Sequence, residues 1–177
     1  MNLTVSALIA DKNPEALAVG APDRGWLTYG GLHALSAQVK EALNAMGIGR
    51  GDRVAIVLPN GPEMATAFVT IAQAATTAPL NPAYQLEEYA FYLKDLQAKA
   101  LVVAQDYDGP ALLAADQSGV AVLRLSFKET DPAGTFSLSV DAPIGTADNT
   151  APTEDDVALI LHTSGTTSRP KIVPLLQ

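Results

Sequence analysis

The chain has 177 residues, 48% of them hydrophobic and 17% charged, with a formal net charge of -8. That apolar content suits one domain, or part of a larger one, with a sizeable core, and it argues against disorder. The acidic balance disfavours non-specific nucleic-acid binding, and the absence of cysteine excludes a disulfide framework or a Cys-based metal site.

Residues 1–10 are mildly apolar but carry no positively charged n-region, and Asp11 and Lys12 follow at once. No signal peptide is expected. No apolar run is long enough to span a bilayer. The expected location is the cytoplasm, or the peroxisome in a eukaryotic cell.

Residues 16–19 read as a short strand. Residues 26–29 lead into a helix whose apolar positions are Leu32, Leu35, Val39, Leu43 and Met46, with Thr28 as N-cap and Gly47 as the stop. Residues 54–58 read as a buried strand. Asn60 then caps a second helix, with Pro62 in its first turn and Glu63 three residues after the cap. Met64, Phe68 and Ile71 would form its apolar face. A strand over 77–80 ends at Asn81-Pro82, and Leu86, Tyr89, Ala90 and Leu93 mark the next helix. Strands over 100–104 and 121–125 flank a weaker helix at 109–117. This alternation predicts a doubly wound, mainly parallel α/β sheet with helices on both faces.

Three regions follow. Residues 1–127 form an α/β subdomain. Residues 128–156, rich in Asp, Pro, Gly and Thr, form a variable connection, with an edge strand over 136–140. Residues 157–177 begin with a continuous apolar run, 157–161, suited to a strand buried on both faces.

Immediately after that strand comes Thr163-Ser-Gly-Thr-Thr-Ser-Arg-Pro-Lys171. Its chemistry suits a phosphate cradle. Gly165 lets backbone N–H groups approach an anion without a side chain in the way. The hydroxyls of Thr163, Ser164, Thr166, Thr167 and Ser168 can donate to phosphate oxygens. Lys171 adds a mobile point charge, and Pro170 stiffens the exit. Rival signatures fail. A Walker loop needs Gly-Lys followed by Ser or Thr, but Lys171 lies between Pro170 and Ile172. A nucleophile elbow needs Gly two places before Ser164, where His162 stands. Gly47-Ile-Gly-Arg-Gly51 follows a helix and not a strand, so it is no dinucleotide fingerprint.

Other candidates have plainer readings. With only His33 and His162 in the chain, a His-rich metal cluster is unavailable. His33 reads as a helix-boundary residue. His162, beside the loop, reads equally as a packing or a site residue. Trp26, Tyr29, Phe68, Tyr89 and Phe91 read as core or half-buried aromatics. Glu87 and Glu88 read as a solvated helix-start pair, and Arg169 as an exposed loop residue.

The loop resembles the signature of the AMP-forming, adenylate-forming enzymes, a superfamily of acyl- and aryl-CoA ligases, peptide-synthetase adenylation domains and luciferases. Their pattern, Thr-Ser-Gly-Thr-Thr-Gly-x-Pro-Lys, matches at Thr163 to Thr167 and at Pro170-Lys171. Ser168 stands in place of the family's Gly, and Ser adopts positive φ less readily. The Ser-Arg-Pro-Lys form with His162 before it resembles the oxalate–CoA ligase branch. Thr28-Tyr29, Gly49-Arg-Gly-Asp52, Pro59-Asn60, Asn81-Pro82 and Tyr84 also resemble family positions in register.

The resemblance implies an N-terminal piece of an ATP-dependent acid–CoA ligase, inactive by itself. A carboxylic acid attacks the α-phosphate of Mg-ATP, and the CoA thiol then displaces AMP. Cofactor contacts fall to Thr163, Ser164, Gly165, Thr166, Thr167, Ser168 and Lys171, with Thr166 or Thr167 joining the Mg²⁺ shell and Thr166 taken as the metal residue. No catalytic residue is assigned. The expected partners are a small carboxylic acid, ATP and CoA, with neither nucleic acid nor a membrane span; uncovered apolar faces would favour self-association. The alternatives are a carrier-linked adenylation domain and a non-catalytic nucleotide- or partner-binding domain.

Overall fold

The computed structural model describes residues 4–163 and 170–177. A short helix, α1 (Val5–Ala10), opens with the Thr4 hydroxyl accepting from the Ala7 amide. An antiparallel ribbon of β1 (Leu17–Val19) and β2 (Leu27–Thr28) follows. The Thr28 hydroxyl accepts from the Gly31 amide and so starts α2 (Tyr29–Met46), which Gly47 ends in the left-handed conformation at φ 90°. Leu32, Leu35, Val39, Leu43 and Met46 are all buried, as their spacing predicts.

Strands and helices then alternate: β3 (Arg53–Val57), α3 (Pro62–Ile71), β4 (Thr76–Pro79), α4 (Leu86–Leu96), β5 (Ala100–Ala104), α5 (Pro110–Ser118) and β6 (Ala121–Ser126). The chain closes with β7 (Ser137–Ser139), β8 (Val157–Thr163) and β9 (Lys171–Leu176). Seven strands make one sheet in the order β7-β6-β5-β3-β4-β8-β9. Its inner five are parallel, while β7 and β9 are antiparallel edges.

Handedness places the helices. The step from β3 to β4 moves one way across the sheet, whereas β4 to β5 and β5 to β6 move the other way. Right-handed crossovers in opposite directions put their helices on opposite faces. Accordingly Ala67 and Ile71 of α3 pack with Val54, Ile56 and Val102 on the α2 side. Tyr89, Leu93 and Ala114 of α4 and α5 pack with Ala55, Leu101 and Val103 on the other. The doubly wound α/β fold is thus the one expected.

Four local expectations need correction. The N-cap of α3 is Gly61, without a side-chain bond, and not Asn60. Glu63 is drawn off instead by Arg24, whose Nη1 donates to Glu63 Oε1 over 2.6 Å, and by the Gly134 amide at 3.1 Å. The buried face of α3 is Thr66, Ala67, Thr70 and Ile71, with Phe68 only half-buried. Trp26 is 56% exposed, its indole lying across Gly20, and Phe91 is also exposed. Finally, β8 buries only Ala158 and Ile160; Val157 and Leu159 are half-buried and Leu161 is exposed. With only β9 beyond it, β8 lies near the sheet margin.

The long connection is tied to the body at several places, among them Arg24, the Gly134 backbone and the β6–β7 ladder. Arg24, stacked 5.2 Å from the Phe127 ring centre, also donates to the Asp131 carbonyl. Further on, the Gly49-Arg-Gly-Asp52 turn meets residues 148–156. The Arg50 amide donates to the Asp148 carbonyl, and Arg50 Nε lies 2.9 Å from Asp156 Oδ2. A Cβ at Gly49 would collide with the Asp148 carbonyl, so this approach requires glycine. Arg50 thereby holds Asp156, the residue just before β8.

Candidate functional site

In open α/β sheets, ligands bind beyond the carboxyl ends of the parallel strands. Strand β8 is parallel to β4, so Thr163 leaves the sheet at that edge. The β4–β8 ladder is short, with the single backbone pairing Thr77↔Leu159. Two buried hydroxyls supplement it: Thr76 Oγ1 donates to the Val157 carbonyl over 2.7 Å, and Thr77 Oγ1 to the Ala158 carbonyl over 2.8 Å. Threonine at these positions therefore fastens the site-bearing strand to the sheet.

Beyond the loop the chain returns as β9, in a ladder where Thr163 pairs with Lys171 and His162 with Ile172. Cross-strand partners share a face and neighbours alternate. Thr163 and Lys171 therefore lie on one face, both exposed, and His162 and Ile172 on the other. The two outer members of the predicted phosphate cradle stand on one rung. Ser164, Gly165, Thr166, Thr167 and Ser168, with Arg169, lie outside the described residues. A strand follows this loop, whereas a Walker loop runs into a helix. Anion binding here would draw on loop amides, hydroxyls and Lys171.

His162 continues the buried face of β8 toward α4. Its side chain is 4% exposed, and its ring meets Tyr92 edge-to-face at 4.5 Å. Nε2 lies 3.4 Å from Asp95 Oδ2, a long contact, and makes no regular hydrogen bond to another described residue. Burial pulls the imidazole below its ordinary pKa, and Asp95 offsets only part of that. Tyr92 stacks on Tyr84 at 4.8 Å, and the Tyr89 hydroxyl donates to the Asn81 carbonyl over 3.0 Å. Burial and the neighbouring Tyr92 push the Tyr84 hydroxyl up to about 12. An aromatic column thus joins the turn after β4, helix α4 and the exit of β8. Beside it opens a cleft of about 850 Å³ lined by Phe91, Tyr92, Asp95 and Pro170, among others.

The remaining candidates are structural. His33 Nε2 contacts the Ile9 carbonyl at 3.0 Å and links α1 to α2. Glu88 accepts from the Gln85 amide in a capping box at the start of α4, while Glu87 is exposed. Among the described residues, no group of three or more His, Cys, Asp or Glu could hold a metal ion. Among them too, no helix is long and apolar enough to cross a membrane. Sequence reasoning missed Tyr92 and Asp95 as neighbours of His162. It also missed β9, although Ile172, Val173, Leu175 and Leu176 are an apolar, partly β-branched run that signals a strand.

Known proteins resemble this chain in sequence and fold. The oxalate–CoA ligase of Arabidopsis thaliana is 38% identical over 174 residues, covering 96% of this chain and 34% of that protein. Nonribosomal peptide synthetase 8 of Aspergillus fumigatus is 30% identical over 167 residues, covering 92% of this chain and 2% of that protein. The crystal structure of ATP-bound MatB from Rhodopseudomonas palustris superposes with a TM-score of 0.78 at 28% identity, covering 99% of this chain and 35% of that one. The chain thus spans about a third of the length of the oxalate–CoA ligase and of the MatB chain. The AMP-binding enzyme family matches residues 7–177, and the chain belongs to that family.

Proposed function

We propose that this chain forms the ATP-phosphate end of an AMP-forming acid–CoA ligase. The observation that carries this reading is the rung of Thr163 and Lys171 at the foot of a Ser/Thr/Gly loop, at the carboxyl edge of a parallel sheet in a member of this family. The loop amides and hydroxyls would wrap the β- and γ-phosphates of ATP. Lys171 would neutralise charge there without the specificity of a bidentate guanidinium.

The described residues hold no cluster of acidic ligands for Mg²⁺. Mg²⁺ would arrive with ATP, with phosphate oxygens and water among its ligands. Thr166 is this chain's candidate protein ligand for it. A carboxylate oxygen would then bond to the α-phosphorus as pyrophosphate leaves, and the CoA thiol would displace AMP from the acyl-adenylate. Such chemistry needs positioning and charge neutralisation from several elements at once. In isolation the 177 residues should bind Mg-ATP but form no acyl-adenylate. The 38% identity to an oxalate–CoA ligase makes oxalate the first acid to try.

Pyrophosphate release is the direct test, followed across a panel of carboxylic acids in the ligase containing this chain. Acid-dependent release, then CoA-dependent AMP release, is expected. A Thr166→Ala, Lys171→Ala double variant should lower the rate at least about tenfold. An unchanged rate overturns the phosphate assignment. The relative among peptide synthetases supports a second reading, in which a carrier-bound thiol accepts the acyl group. AMP release driven by a carrier protein and not by CoA would select it.

A further inference from the structure

We propose that His162 is a positioning residue for the phosphate loop, its ring lodged against Tyr92 so that β8 delivers Thr163 into the loop in one fixed orientation. The assignment depends on residues 163–171 binding phosphate, and it adds how the foot of the loop is held.

Four observations carry it. His162 is the last residue before Thr163, and successive strand residues point to opposite faces, so fixing one orients the other. Its side chain is almost wholly buried although it lies at the exposed end of a hairpin, where Thr163, Lys171 and Ile172 are exposed. Its contact is with a column that has packing and hydrogen bonds of its own. Tyr92 is stacked on Tyr84, and Asn81, at the start of that turn, is fixed by its Oδ1 accepting from the Ala83 amide over 3.0 Å. Lastly, among the described residues the pairing of β8 with β4 is confined to Thr77↔Leu159, short of the end of β8. Beyond Ile160, which packs in the same buried cluster as Tyr89, Tyr92 and Leu93, the His162 ring continues the contact of this end of β8 with α4.

Ring packing and not hydrogen bonding is the operative contact. The edge-to-face distance of 4.5 Å to Tyr92 is favourable for an aromatic pair, whereas among the described residues Nε2 has only the long 3.4 Å contact with Asp95. Asp95 is 38% exposed on its side chain and can be satisfied by water. An aromatic ring without nitrogen should therefore replace His162, and a small residue should not.

The test is Mg-ATP titration of the 177-residue chain by calorimetry, with thermal unfolding measured in the same samples. His162→Ala should weaken Mg-ATP binding about fivefold, as expected for losing one aromatic pair. His162→Phe should restore affinity to within about twofold. Asp95→Asn should leave it unchanged. Amide exchange should quicken at Thr163 and Lys171 in His162→Ala while staying slow in β5. Should His162→Ala not fold, Tyr92→Leu, which removes the other ring, should show the same weakening and the same local exchange. Wild-type affinity in His162→Ala, or His162→Phe as weak as His162→Ala, overturns the latch and leaves the phosphate reading standing. Failure of the wild-type chain to bind Mg-ATP overturns both.

Discussion

The centre of the sheet and its β8–β9 margin are built on different terms. Val54, Ile56, Leu101 and Val102 are fully buried between helices on both faces. At the margin β8 is buried on alternate residues, and Leu161, Ile172, Leu175 and Leu176 are exposed. The centre is held by packed area, which tolerates little change anywhere. The margin is held by a few discrete ties: the Thr76 and Thr77 hydroxyls, the Arg50–Asp156 pair, the His162 ring and Gln177. The last of these donates from Nε2 to the Ala72 carbonyl over 2.7 Å and accepts at Oε1 from the Val5 amide. The loop-bearing end can thus be altered by single substitutions that the scaffold survives.

The sharpest way to break this contrast is to truncate one leucine in each region. Leu101→Ala, at 0% exposure, should cost about 3 kcal/mol in denaturant unfolding, and Leu176→Ala, at 59%, less than about 0.5 kcal/mol. Comparable losses would show that the margin is packed like the centre.

Glu63→Ala comes next. It leaves the Arg24 guanidinium, 8% exposed, with only the distant and largely exposed Glu129 carboxylate at 3.8 Å in place of the 2.6 Å partner. The carbonyls of Asp131 and Pro132 remain as acceptors, so the loss should be about 2–3 kcal/mol in the same assay. This pair also shows where sequence reasoning stopped. Helix α2 is legible because both its signals are local: Thr28 caps within three residues and Gly47 ends the helix by its own backbone freedom. The start of α3 carries an equally good local signal in Asn60 and Glu63, but Glu63 is claimed by Arg24, thirty-nine residues away in sequence. Likewise the hydrophobicity of residues 157–161 is visible, whereas their half-exposure depends on which strand lies beyond them. The loop proposed to bind phosphate is readable as a pattern of residue types, and Lys171 opposite Thr163 follows only once β9 turns back.

Thr77→Val is a smaller perturbation. It keeps shape and strand propensity but removes the donor to the Ala158 carbonyl. About 1 kcal/mol should be lost, with faster amide exchange in β8 than in β5. Equal exchange would mean that the hydroxyl does not fasten β8.

The smallest effect is in pH. The folded His162 has a pKa below its ordinary 6.5. As pH falls through that value the unfolded chain takes up the proton first, so stability declines with falling pH and the penalty is absent above it. His162→Phe should flatten the stability curve as pH falls below about 6.5. Asp148 and Asp156, whose carboxyls hydrogen bonds from Thr150 and Thr153 hold below the usual 3.8, act only at lower pH. A slope that survives in His162→Phe would assign it to another group.

The most direct test of the account concerns the rung itself. Lys171 is exposed and pairs with Thr163 through backbone. Lys171→Ala should leave the thermal unfolding curve of the chain in place and weaken Mg-ATP binding, measured by calorimetry, about tenfold or more. Wild-type affinity in that variant would contradict the claim that this end of the sheet receives the phosphates of ATP.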